Sequence, residues 1–188
     1  VPDTLAIAGF DKDWFGRGEG LGNFMTFGEF PAAGTGDLLG PAGAILGRDL
    51  STIHEVDLYD SKHVQEFVSH SWYDYAGGKE TGLHPHDGET TFNYTGPKPP
   101  YEHLDVENSY SWLKAPRWKG HAMEVGPLAR VLMRYASGLE PTQELANMEL
   151  SKLDAPIDAL YSTLGRTAAR TLETKIIADQ MDTWLDDL

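Results

Sequence analysis

Between Asp158 and Leu188 the sequence has no proline and one glycine, Gly165, while Leu160, Leu164, Ala168, Leu172, Ile176 and Met181 recur every four or five residues. That spacing lays six apolar side chains along a helix of roughly thirty residues, about 45 Å long. A helix of that length needs a packing partner for its stripe. Two shorter helices precede it. Gly126-Pro127 marks a helix start with proline at the first helical position, Leu128, Val131, Leu132 and Tyr135 form its apolar face, and Gly138 ends it. Thr142, with Glu144 in the first turn, caps a second helix that runs to Leu153.

The N-terminal part reads differently. Phe24-Met25-Thr26-Phe27-Gly28-Glu29-Phe30 alternates its aromatics as a half-buried strand does, Pro31 to Gly36 forms a turn, and Leu38-Leu39 with Gly43-Ala44-Ile45-Leu46 supplies a second strand. Pro41 restricts that strand to an edge or a break. Asp60-Ser61 is an N-cap followed by Val64, Phe67, Val68 and Ser71 at helical spacing, so a helix is expected to run to about Trp72–Tyr75 and to stop near Gly77-Gly78. His63 and His70 would share one of its faces. Residues 79–108 form a long irregular segment, and Tyr110-Ser111-Trp112-Leu113 a strand. The fold class is α+β: a small β-rich N-terminal part followed by a helix-rich half with a long C-terminal helix. Within one segment, residues 1–50 are the β-rich and loop part, 51–138 a mixed α/β part, and 139–188 the helical part.

The 188 residues include 15 basic and 29 acidic side chains, a formal net charge of −14, and no cysteine. The negative balance argues against nucleic acid, whose phosphates require clustered Lys and Arg, and against anionic lipid. Without cysteine the chain has no disulfide, zinc ribbon, iron–sulfur ligation or cysteine nucleophile of its own. Its apolar runs are too short to span a bilayer. It opens on Val1 and carries no signal peptide, as a processed form or an excised piece would.

Three constellations could carry chemistry. Glycines 16, 18, 20 and 22 suggest a phosphate loop, but GxGxxG fails in every register and no Gly-Lys-Ser/Thr follows, so a turn-rich loop is the better reading. His84-Pro-His-Asp-Gly-Glu89 packs two imidazoles and two carboxylates into six residues, which suits a divalent metal in a small hydrolase or a polar turn in water. Glu124 falls just before the Gly126-Pro127 helix start, where backbone N–H groups favour an anion, with Lys114, Arg117 and Lys119 on the preceding strand and turn. An acid among cations there serves either as a proton relay or as a salt-bridged turn.

Around Glu124 the sequence resembles a known family. Lys114-Ala-Pro-Arg-Trp118 and Met123-Glu-Val-Gly-Pro-Leu-Ala-Arg130 are similar to the central region of the large subunit of nickel–iron hydrogenases. His70-Ser-Trp-Tyr73, His84-Pro-His-Asp-Gly-Glu-Thr90, Tyr94-Thr-Gly96 and Ser162-Thr-Leu-Gly-Arg-Thr-Ala-Ala-Arg170 extend the resemblance in family order over residues 54–170. Trp118 and the His84 block look like the respiratory uptake type.

The resemblance implies an oxidoreductase that oxidises H2 to protons and electrons at a nickel–iron centre, with a magnesium-type ion nearby. It also implies electron exit through an iron–sulfur small subunit, from there to a membrane cytochrome, on the periplasmic side of the cytoplasmic membrane. The family's Cys-x-x-Cys metal ligands are missing here, so no metal is expected in this chain and, alone, no turnover. What carries over is Glu124 in a proton route, Lys114 supporting the same water network, and His70 facing a small-subunit cluster. Arg117 and Arg130 carry over as structural ion-pair residues. The alternative is a non-catalytic interaction module using the aromatics, the proline-rich loop and the long helix. An excised piece should leave part of the Leu160–Met181 stripe uncovered.

Overall fold

The computed structural model describes residues 12–31, 37–98 and 102–188, and the turn expected at Pro31–Gly36 falls mostly outside them. The chain divides into two compact units, Val1–Val56 with Glu124–Leu188, and Asp57–Met123.

In the first unit strands β1 (Phe24–Pro31) and β2 (Leu38–Ile45) pair antiparallel, from Phe24 opposite Ile45 to Pro31 opposite Leu38. Pro41 has no N–H to donate to the ladder, and Gly28 (φ 79°) and Phe30 (φ 54°) turn left-handed within β1. The expected alternation therefore fails: Phe24, Met25 and Thr26 are all buried while Phe27 and Phe30 are exposed. Helix α1 (Pro127–Ala136) begins at Gly126-Pro127 as read from the sequence, and Val131, Leu132 and Met133 on it are fully buried. Phe24 of β1 stacks on Tyr161, 5.7 Å between ring centroids, and closes the core between hairpin and helices.

Helix α2 (Glu140–Lys152) starts two residues before the expected cap. Pro141 sets its first turn, and Thr142 is buried within it rather than capping it. A 3-10 turn (Ile157–Tyr161) then leads into helix α3 (Thr163–Asp186), the long C-terminal helix. Ser162 caps α3 by accepting a hydrogen bond from the Gly165 N–H, 3.0 Å, and donates its own hydroxyl to the Ala159 carbonyl. The face that α3 buries is Gly165, Ala169, Leu172, Glu173 and Ile176, so the expected stripe is rotated. Leu164 and Ala168 are half-buried, and Met181 is exposed. Ala168 and Leu172 line an apolar groove of about 320 Å³ with Leu145, Leu150 and Leu153 of the α2 region. No helix among the described residues is long and apolar enough to cross a membrane.

In the second unit strands β3 (Val64–Phe67), β6 (Ala115–Trp118) and β7 (His121–Ala122) form one sheet with β6 in the middle. Strands β4 (Tyr73–Tyr75) and β5 (Thr90–Phe92) form a second pair. The helix expected from Asp60 is absent. Asp60 closes a single turn, its carbonyl accepting from the N–H groups of His63 and Val64, after which the chain extends. Glu66 exchanges both backbone bonds with Leu83 on one side and is paired with Pro116 on the other. These long-range ladders outweigh the local helical spacing, and His63 and His70 share no helix face. The strand expected at Tyr110–Leu113 reduces to one bridge, Ser71 with Ser111, and the true strand begins at Ala115.

Candidate functional site

Glu124 is held by its backbone before its side chain does anything. Its N–H donates to the Asn23 carbonyl at 2.8 Å and its carbonyl accepts from Met25 N–H at 3.0 Å, which stitches it to the start of β1. Its carboxylate is taken by Arg166, one turn into α3: Nε to Oε1 and Nη2 to Oε2, both 2.6 Å. The remaining guanidinium nitrogen, Nη1, donates to the carbonyls of Gly18 (2.6 Å) and Tyr161 (2.9 Å). Pairing with Glu124 raises the Arg166 pKa above its ordinary value. The pair is about a quarter exposed.

The glycine-rich loop is the wall of this site. Gly18 is left-handed (φ 72°), and a Cβ on Gly20 would stand 3.0 Å from Arg166 Nη2 and 3.1 Å from Glu124 Oε2. A side chain there would press on the pair, whose ends would have to give by a few tenths of an ångström.

The cations expected around Glu124 are engaged elsewhere, in the second unit. Lys114 pairs with Glu66 at 3.0 Å and lies over the Tyr75 ring. Arg117 lies over Phe67 and donates to its neighbour's carbonyl, and among the described residues it does not form the expected ion pair. Lys119 covers Trp118. Arg130 does form ion pairs: Nε and Nη2 grip Glu173 at 2.5 and 2.6 Å, and Nε lies 3.0 Å from Glu29. Arg134, one turn further along α1 and fully buried, completes this cluster at 3.5 Å from Glu29 and 3.7 Å from Glu173, with no hydrogen bond among the described residues. Burial lowers the Arg134 pKa and raises that of Glu29.

His70 is exposed, stacks on Tyr110 and binds the Asn108 carbonyl through Nδ1 at 2.8 Å. A carbonyl only accepts, so Nδ1 carries the hydrogen, and Nε2 makes no hydrogen bond among the described residues. His70 borders a polar cleft of about 550 Å³ with Lys79, Glu80, Asp105 and Glu107.

The His84–Glu89 cluster folds as a turn. His84 is buried, donates from Nε2 to the Leu58 carbonyl at 2.6 Å and accepts the His86 N–H at Nδ1. Both ring nitrogens are used, so His84 has no lone pair for a metal, and the hydrolase reading loses its first ligand. Among the described residues no group of three or more His, Cys, Asp or Glu side chains could hold a metal ion.

The sequence pattern of the nickel-dependent hydrogenase family matches residues 1–188, the whole chain. The chain belongs to that family. Its relatives include the uptake hydrogenase large subunit of Bradyrhizobium diazoefficiens, 43% identical over 100% of this chain and 33% of the relative. The hydrogenase-1 large chain of Escherichia coli is 40% identical with the same coverage. The [NiFeSe]-hydrogenase of Desulfomicrobium baculatum superimposes with a TM-score of 0.64 at 30% identity, covering 98% of this chain and 35% of that one. The chain thus spans about a third of the length of these relatives.

A nickel–iron centre finds no thiolate ligands here, since the sequence has no cysteine, and His84 spends both ring nitrogens on hydrogen bonds. Arg166 lay in a block whose family likeness was visible, yet its role was not. One signal for it existed: a basic residue in the first turn of a helix opposes the macrodipole, so another partner has to hold it there.

Proposed function

We propose that this chain is the central stretch of the large subunit of a nickel–iron uptake hydrogenase, and that it contributes to H2 oxidation through proton handling and partner contact rather than through metal ligands. In the family the nickel–iron centre supplies cleavage of H2 into protons and electrons, and its ligands, like those of the magnesium-type ion, belong to other parts of the subunit. The observation that carries the reading is the bidentate grip on Glu124, which fixes one carboxylate where backbone, loop and helix converge. A carboxylate held in place can accept and return protons moving between the subunit interior and solvent.

His70 supports contact with the iron–sulfur small subunit. With Nδ1 committed to Asn108, Nε2 of this exposed ring is the nitrogen left for a partner. A membrane cytochrome beyond that subunit and a periplasmic location complete the proposal.

Glu124→Gln in the complete hydrogenase carrying these residues should lower H2 oxidation at least tenfold, since general acid–base groups typically contribute 10²–10⁴-fold. Unchanged turnover would remove Glu124 from the proton route. Elemental analysis of the dialysed 188-residue chain should find no stoichiometric nickel, iron or zinc. One equivalent of any of them would mean that a ligand set exists in these residues.

A further inference from the structure

The apolar groove between α2 and α3 is part of a longer furrow. At one end it opens into a second hollow of about 400 Å³ lined by Leu39, Met148 and Ile176, with Leu145, Met148 and Lys175 bordering both. In the other direction Leu164 carries the apolar surface on past Ala168. From Leu164 to Gln180 the furrow follows α3 for about 24 Å, at 1.5 Å per residue. Resting on the proposed place of this chain in a hydrogenase large subunit, we propose that the furrow docks an amphipathic helix of about four turns from the part of that subunit outside these residues. The docked face of that helix is apolar, and it carries Lys or Arg where it passes the end of α3.

Shape points to a helix. A long open furrow with apolar walls takes a helix laid lengthwise, whereas a small molecule needs a pocket that encloses it and polar groups that converge on it. Charge sets the polar end. The face of α3 that lines the furrow passes Lys175 and Asp179, which pair with each other, and continues at helical spacing to Asp182 and Asp186. Both are exposed, Asp187 follows them, and the last turn of α3 holds no basic residue. Three carboxylates thus stand at the negative end of the helix dipole, where a cation supplied from outside is favoured.

Two observations favour a segment of the same subunit as the occupant. The relatives are about three times as long as this chain, and a segment on the same polypeptide docks without the loss of freedom that a separate molecule undergoes. A second copy of the chain would bring another net charge of −14. A symmetric contact through this furrow would set the carboxylates of one copy against those of the other.

The test uses the complete two-subunit hydrogenase carrying these residues, with the photo-cross-linking residue p-benzoylphenylalanine in place of Met148 or, in a second variant, of Thr171. Both side chains are exposed on the furrow, and two positions keep the test decisive if one variant does not assemble. After illumination the large subunit is sized under denaturing conditions and the cross-linked peptides are sequenced by mass spectrometry. The expected product is a cross-link within one large subunit, its mass unchanged, to a peptide outside these 188 residues with apolar residues at helical spacing and Lys or Arg beside them. Adding Asp182→Lys and Asp186→Lys to the position-148 variant should lower the cross-link yield about tenfold, because like charges then face each other.

A cross-link to the small subunit or to a second large subunit, one confined to these 188 residues, or none from either position would overturn the proposal. An unchanged yield after the charge reversal would overturn its basic end. H2 oxidation and nickel content are measured on the same enzyme without the cross-linker. If both are absent, the hydrogenase reading falls, while the docking of a helix is still decided by the cross-link alone.

Discussion

Glu173→Leu should lower the thermal unfolding midpoint by roughly 10 °C. Glu173 is nearly buried on α3, takes both forks of Arg130, and is one of two carboxylates beside the fully buried Arg134. Without it, two guanidinium groups share Glu29 alone, at 3.0 and 3.5 Å. Removing one partner of a buried pair typically costs about 3–5 kcal/mol, because the remaining charge stays desolvated. In a domain of this size each kcal/mol moves the midpoint by about 2–4 °C.

Arg134→Met is the informative contrast. Arg134 makes no hydrogen bond among the described residues, and its burial opposes its charge. Replacing it with an apolar side chain of similar length relieves that desolvation and should cost less than half as much as Glu173→Leu. Thermal or urea unfolding of the two variants side by side checks the ranking. Equal losses would mean that the cluster is held by shape and not by charge.

Gly165→Ala is the second large effect expected. A Cβ at Gly165 would stand 2.2 Å from the Leu160 carbonyl oxygen, 2.3 Å from the Leu160 carbonyl carbon and 2.4 Å from the Ala159 oxygen. These are backbone atoms of the 3-10 turn, which cannot swing aside as a flexible side chain can. The first turn of α3 would have to move off that turn, breaking the Ser162 cap. Overpacking usually costs 1–3 kcal/mol, and a backbone collision belongs at the upper end, about 3 kcal/mol. Gly77→Ala is the control: no atom lies within 4 Å of its Cβ position, so the change should be neutral or slightly stabilising. A Gly165→Ala variant with the same unfolding midpoint as Gly77→Ala would show that the turn yields.

What the sequence made legible was local. Pro127 at a helix start, the positions Leu128, Val131 and Leu132 of α1 and the existence of a long C-terminal helix need no partner to be recognised, although that helix is 24 residues from Thr163 rather than about thirty from Asp158, because a 3-10 turn and the Ser162 cap come first. Strand β3 shows the limit. Asp60 does cap a turn, but Val64 and Phe67 suit a helix face and a strand equally, and the choice is made by Leu83 and by Ala115–Trp118, far along the chain. The buried face of α3 was misplaced because a charged residue, Glu173, belongs to it, and its burial depends on Arg130, 43 residues away. The site divides in the same way. Glu124 was legible from its motif, whereas its partner is 42 residues on and its wall about a hundred residues earlier, in a glycine run that had looked like a loose turn.

The first unit is built from the two ends of the chain, with Asp57–Met123 inserted between them. During synthesis the β1–β2 hairpin therefore leaves the ribosome long before α1 and α3, the helices that cover Phe24 and neutralise Glu29. At about 5–20 residues per second the delay is on the order of ten seconds. For that interval the hairpin is a short, two-edged ribbon with an unpaired carboxylate and uncovered aromatics, the kind of surface that chaperones shield. The insertion thus makes the nascent hairpin the part of the chain most exposed to mispairing, although in the finished unit it is held by α1 and, through Trp184, by α3.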